Sequence, residues 1–169
     1  KAGGKPLRAL FQELIAQPLR LAHTEYPSTS ARPVLPVGWH QAQPVSATVA
    51  GLAAAGLVSN APELMRFVHA IFEDDGFLTP TLRRELTHFV GIAPERGAYG
   101  LGVARGELRG VRYWYHGGLL RGFLSGFYWF PDQGQAMVVL LNRSDTQGEA
   151  RHRQLFEAGA CRLVRKTCR

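Results

Sequence analysis

His116 is followed at once by Gly117 and Gly118. An imidazole can donate, accept or carry charge near neutral pH, so its position matters more than that of most side chains. Strand alternation along Val111–Gly118 puts Arg112, Trp114 and His116 on one side and Val111, Tyr113 and Tyr115 on the other. His116 is thus expected at the end of a strand, with bare backbone beyond it. Glycines in that position let a ligand or a nucleophile's backbone come close to the strand edge. A plainer arrangement fits the same residues: the glycines twist or turn the sheet, and His116 is a structural donor.

Other chemistries find less support. His23, His40, His69, His88 and His152 are scattered, with no helical pair at metalloprotease spacing. His40, beside Trp39, is expected to be a solvated loop residue, and His69 an exposed helix residue. Gly100, Gly102 and Gly106 sit in a strand-and-turn context with no amphipathic helix after them, so no phosphate cradle is expected. No cofactor and no metal are assigned. Cys161 and Cys168 are the two cysteines, too few for a four-ligand structural zinc site. Joined, they would pin the C-terminus in a small loop and favour an exported protein; two free thiols are the alternative.

The elements around His116 follow from periodicity. Leu7, Leu10, Phe11, Leu14 and Ile15 mark one apolar helix face, which Pro18 ends. Residues 27–47 hold Pro27, Pro33, Pro36 and Pro44 and are expected to form a long loop or a covering excursion at a cleft. Asn60 caps a helix with the buried stripe Leu64, Phe67, Val68 and Ile71, and Glu63 is placed to bond back to the cap backbone. Thr79-Pro80 starts another, with Leu82, Leu86 and Phe89 inward and Gly91 and Pro94 at its end. Tyr99–Ala104, Val111–His116, Phe123–Phe130 and Ala136–Leu141 are strand candidates. The short connections between them require antiparallel hairpins. Met137–Leu141 is apolar without alternation and is expected to be covered on both sides, with helices at 7–17, 61–72 and 148–160 as the available covers. The fold class expected is α/β (α+β), an antiparallel sheet flanked by helices.

Composition narrows the partners. The chain has 169 residues, 46% of them apolar, and a formal charge of +7. Residues 151–169 carry Arg151, Arg153, Arg162, Arg165, Lys166 and Arg169 against Glu157 alone, so five of the seven net charges lie at the C-terminus. That describes a basic terminus more than a basic binding face, and no specific nucleic-acid partner is expected. No run approaches the length of a transmembrane helix.

Three passages in order carry a family resemblance. Gln17-Pro18-Leu19 with His23-Thr24, Ala53–Ser59 followed by the Glu63–Phe72 helix, and Trp114–Gly118 with Gly122-Phe123 and Pro131–Asn142 together resemble class C β-lactamase-like and penicillin-binding serine hydrolases, including carboxypeptidase and esterase relatives. Arg20 stands where that family usually has glycine. The resemblance implies a β-lactamase/transpeptidase-like fold and a serine acyl hydrolase acting on a small acyl, ester or peptide substrate. It implies catalytic roles for His116, as a side chain facing the nucleophile, and for Leu119, whose backbone N–H would help form the oxyanion hole. Gly117 and Gly118 would be substrate-binding. Gly117 departs from the frequent serine or threonine, which disfavours penicillin hydrolysis relative to ester, amide or peptide hydrolysis.

The family's Ser-x-x-Lys is absent, since the residues three positions after Ser28, Ser30, Ser46, Ser59, Ser125 and Ser144 are Ala31, Pro33, Val49, Pro62, Tyr128 and Gln147. The resulting expectation is an incomplete C-terminal portion of such a domain over residues 1–160, with a basic tail at 161–169. Its nucleophile and base would come from a missing N-terminal segment, and the isolated chain would be inactive. The alternative expectation is a non-catalytic binding or regulatory relative. A disulfide between Cys161 and Cys168 would favour a periplasmic or secreted location, and a cytoplasmic one is the alternative.

Overall fold

The structure is a computed structural model that describes residues 4–26, 35–45, 56–93 and 97–163. Its centre is a six-stranded antiparallel sheet in which chain order is spatial order: β3 (Val90–Ala93), β4 (Gly97–Tyr99), β5 (Ala104–Leu108), β6 (Val111–Leu120), β7 (Phe123–Phe130) and β8 (Gln135–Leu141). A separate hairpin, β1 (Gly38–His40) with β2 (Gln43–Val45), lies within the stretch expected to be a loop. Residues 27–34, 46 and 47 of that stretch, residues 50–55, and Cys168 with the rest of the basic tail from Val164 lie outside the described residues.

Strand alternation sorts the side chains into two cores. On one face Val111, Tyr128, Phe130 and Val139 pack with Phe156 and Ala160 of α4 (Thr146–Leu163), and Tyr113 and Tyr115 lean on the same cluster. On the other, Trp129 packs with Val68 and Phe72 of α2 (Ala61–Glu73) and with Val103, joined by Trp114 and Phe127. Phe72 stacks on Trp129 at 5.5 Å between centroids and 17° between planes. The expected phase of Val111–His116 is therefore the observed one. Both α2 and α4 contact β8, as its unbroken apolar run requires.

The N-terminal helix contributes to a third cluster instead. It consists of α1 (Leu7–Phe11) continued by a π-helical segment over Gln12–Ala16, closed by the Gln17 N–H donating to the Gln12 carbonyl at 2.9 Å. The wider turn takes later residues off the 3.6-residue face. Phe11 and Ala16 are buried with Leu21, while Leu14, expected inside, is exposed.

Two local expectations change. The helix from Thr79-Pro80, α3 (Pro80–Leu86), ends at Leu86, leaves Leu82 exposed and is followed by β3, so Gly91 lies in a strand. The strand expected over Tyr99–Ala104 is instead the end of β4 and the start of β5, paired at Tyr99 and Ala104 and joined by Gly100–Val103, where the Leu101 N–H donates to the last α3 carbonyl, Leu86, at 3.0 Å. Gly100 is needed there, since a Cβ would collide with the Leu86 oxygen. Elsewhere β7 matches its expected limits and β8 begins one residue early.

Candidate functional site

The ladder between β5 and β6 stops at Ala104 opposite Tyr115. From His116 to Leu120 the strand keeps β7 on one flank, with His116 opposite Phe127, Gly117 opposite Gly126 and Leu119 opposite Leu124, and has no ladder partner on the other flank among the described residues. His116, Gly117, Gly118 and Leu119 are all exposed. His116 thus lies mid-strand and not at a strand end: β7 offers a partner to every residue through Leu120, so the glycines continue the strand. The expected bare edge exists, and it is the flank that β5 leaves.

His116 shares the α2 face with Trp114, and its ring meets Tyr99 edge-on at 6.0 Å. Gly118 follows on that face. A Cβ there would collide with the Ser125 hydroxyl, which makes a long 3.5 Å contact to the Gly118 carbonyl. Glycine therefore keeps backbone and hydroxyl together at the surface beside His116.

The turn that ends this edge is held from a distance. The Gly122 N–H donates to Ser144 Oγ at 2.7 Å, and His40 Nδ1 lies 3.1 Å from the same oxygen. Trp39 donates its N–H to the Asn142 carbonyl at 2.9 Å and accepts from the Ser144 N–H at 3.1 Å, which lays β1 parallel to the chain leaving β8. Gly122 has φ +90°, and a Cβ on it would collide with Val45. Next to Ser144, Asp145 caps α4 by accepting from the Gly148 N–H at 3.0 Å and receives the Gln41 N–H at 3.0 Å. The Arg143 side chain, 2.7 Å away, outweighs desolvation and holds the Asp145 carboxyl far below the usual carboxylate range. His40 is thus a bonded residue and not a solvated one. Nothing local signals this, because its partner is 104 positions away.

A second polar cluster surrounds Glu63 on α2. The Asn60 side chain caps the helix by accepting from the Glu63 N–H at 2.9 Å. The Glu63 carboxylate, 2% exposed, does not return the bond as expected. It accepts from Thr24 Oγ1 at 2.6 Å and from the His23 N–H at 3.0 Å, with His23 Nδ1 at 3.0 Å. Burial raises its proton affinity, but the bonds from Thr24 and His23 prevail and hold it below its ordinary value. His69, expected to be exposed, lies 2.6 Å from Glu73 and edge-on to Trp129. Among the described residues no group of three His, Cys, Asp or Glu is arranged to hold a metal, and no helix is long and apolar enough to cross a membrane.

Comparison with known proteins places this geometry. The family model described as Beta-lactamase matches residues 1–161. No curated protein matches. Among solved structures, the D-stereospecific amidohydrolase from Streptomyces sp. is 26% identical with a TM-score of 0.73, over 84% of this chain and 45% of that one. The D-amino acid amidase from Ochrobactrum anthropi SV3, complexed with D-phenylalanine, gives 20% and 0.77, over 93% and 56%. An octameric penicillin-binding protein homologue from Pyrococcus abyssi gives 17% and 0.81, over 99% and 40%. The chain spans about half the length of these structures.

These matches correct four expectations. The chain is not assigned to the C-terminal portion of a class C enzyme, because the family match runs over residues 1–161 and the structural likeness is to amidases and a penicillin-binding protein homologue. The fold is a β-lactamase/transpeptidase-like antiparallel sheet flanked by helices, and the qualifier "incomplete" is withdrawn on the same matches. Withdrawn with it are a nucleophile and base supplied by a missing N-terminal segment and an inactive isolated chain. Ser-x-x-Lys reports the spacing of two side chains on one helical turn, so its absence from these residues carries no information about how far the rest of the fold extends.

Proposed function

We propose that this chain, which belongs to the beta-lactamase family, serves the hydrolysis of small amide or ester substrates through an acyl-serine intermediate, with the open flank of β6 as the wall of the substrate pocket. The observation that carries this is the loss of the β5 partner after Tyr115, which leaves the backbone of His116–Leu120 without a ladder partner on one flank among the described residues. A strand flank without a ladder partner presents N–H donors to whatever lies beside it, and donors fixed before the reaction are what a developing oxyanion needs. In this reading the Leu119 N–H is one such donor. His116 faces the reacting group as a hydrogen-bonding or cationic side chain, and Gly117 and Gly118 let the substrate lie against the backbone.

The chemistry is acyl transfer in two stages. A serine hydroxyl adds to the carbonyl, the tetrahedral oxyanion collapses with loss of amine or alcohol, and water then releases the acid. The names of the amidohydrolase and the amidase support amides, including those of D-amino acids, as the substrate class. Gly117 supports the same class, since a hydroxyl there would be the donor suited to a penicillin carboxylate.

Assay of the purified protein against D- and L-amino acid amides and short-chain esters tests the reading. His116→Ala is expected to lower kcat/KM about tenfold to a hundredfold, which is ~1.4–2.8 kcal/mol of transition-state interaction, with an unchanged Tm. His116→Lys should retain more activity. A folded His116→Ala protein with kcat/KM within twofold of the original removes His116 from the mechanism. Absence of turnover on every substrate, with no adduct to a serine-directed acylating probe, removes the mechanism itself.

A further inference from the structure

His152 lies on α4, directly behind the strand pair that carries the open edge. A Cβ on Gly126 would stand 3.0 Å from both His152 Cε1 and His152 Nε2, so Gly126 is the residue that lets this imidazole reach the sheet. Gly126 is paired with Gly117 of β6 on one flank and with Val139 of β8 on the other. The ring therefore backs the middle of a three-strand unit whose opposite face presents His116 and Gly118. Behind Gly117 itself a Cβ would meet only the Ser125 carbonyl, at 3.7 Å. No β6 side chain helps to hold the ring at that position.

Among the described residues, His152 Nε2 is the buried side-chain polar atom without a hydrogen-bond partner. The ionisable groups around it offer no counter-charge. From β7, Tyr128 comes within 6.2 Å between ring centroids, and burial together with Tyr113 and Tyr115 pushes its phenol up to about 12, so it stays neutral. From β6, Tyr115 stacks beyond Tyr128, and β8 presents Val139. On α4, Glu149, Arg151 and Arg153 are exposed, and no ion pair joins His152 to any of them.

We infer that His152 is a positioning residue for the β6 edge: its neutral imidazole seats α4 against Gly126 and so holds the Gly117–Gly126 pair, and protonation of that imidazole loosens the edge. The inference rests on the pocket-wall reading for its meaning to catalysis, but not for its test. With its proton on Nδ1, the neutral ring turns only the Nε2 lone pair to the glycine backbone and needs no acceptor there, whereas an imidazolium brings a second N–H donor, at Nε2, and a charge to a place that satisfies neither. Burial lowers the proton affinity of His152 below the ordinary histidine value. The folded state therefore binds fewer protons than the unfolded state in the window just below that value. Stability is full above it and declines as the pH falls through it.

The test is amide hydrogen exchange at His116 and Gly118, the β6 amides that alternate with Leu119 and so face β7 on either side of the Gly117–Gly126 pair, expressed as protection relative to the unstructured rate, at pH about 7.5 and about 5.5. In the original protein, protection at these two amides is expected to fall roughly tenfold at the lower pH. In His152→Phe, and in the smaller His152→Leu should the phenyl ring not fit, it is expected to change by less than about twofold. An equal fall in the variants assigns the effect to another group and overturns the inference. A fall in global stability with unchanged protection at these amides overturns the positioning role. Failure of the hydrolase reading appears separately, as absent turnover, and leaves these exchange results unaffected.

Discussion

A glycine in the middle of a buried strand is a cost unless something uses the missing side chain. Gly126 is used twice, since the position a Cβ would take is 3.0 Å from His152 and 3.1 Å from the Tyr128 hydroxyl. Gly126→Ala must therefore push α4 away or turn one of these rings out of place. We expect it to lower stability by about 1–3 kcal/mol in denaturant unfolding. Combined with His152→Ala, which empties part of the contested space, the two substitutions together should cost distinctly less than the sum of their separate costs. Strict additivity would show that the two residues do not meet.

At the scale of elements, the hairpin of β1 and β2 is tied to the rest of the chain by backbone bonds of Trp39, by the Gln41 bond to Asp145, and by one shared hydroxyl. Ser144 Oγ receives the buried Gly122 N–H and contacts His40, so it joins the turn after β6, the hairpin and the start of α4. Ser144→Ala leaves that N–H without its acceptor, at an expected cost of about 1–2 kcal/mol. The loss should be local. Amide exchange at Gly122 and in the hairpin should quicken while β7 keeps its protection; uniform loss across the sheet would show that the hairpin is not a separately opening unit. The same bond explains why the hairpin was not legible in the sequence. Its strands have three residues each and include Pro44, a weak strand signal by any local criterion.

At the scale of the whole molecule, the sheet carries two cores, and polar bonds tie the segment after the third cluster, Phe11, Ala16 and Leu21, to α2. The joint is Glu63, supported by the Glu25–Val58 bridge and by Arg66 donating to the Arg20 carbonyl at 3.3 Å. Glu63→Ala removes the acceptor of the His23 N–H, leaves the Thr24 hydroxyl only its contact with Ser59 Oγ, and is expected to cost about 1–3 kcal/mol. Glu63→Gln keeps one acceptor and should cost less. Because the folded carboxyl is held below its ordinary value, its contribution is present above the ordinary carboxylate range and is lost as the pH falls through and below it. An acid limb of the stability curve that persists undiminished in Glu63→Gln would assign it to another carboxylate.

The features that could be read along the chain are those whose cause lies within a few residues. The Asn60 cap places the start of α2, the alternation of Val111–His116 sorts Trp114 and His116 from Tyr113 and Tyr115, and Gly122 and Pro131 bound β7. These follow from helical and strand periods and from caps and turns, which the backbone imposes wherever the sequence permits. Tertiary structure decided which partner each polar group took and where each ladder stopped. Glu63 accepts from residues 39 and 40 positions away, Ser144 from one 22 positions away, and β6 loses β5 after Tyr115, which turns a glycine-bearing strand into an open edge. No local period encodes these choices, because a hydrogen bond or a strand flank is settled by whatever the folded chain brings beside it.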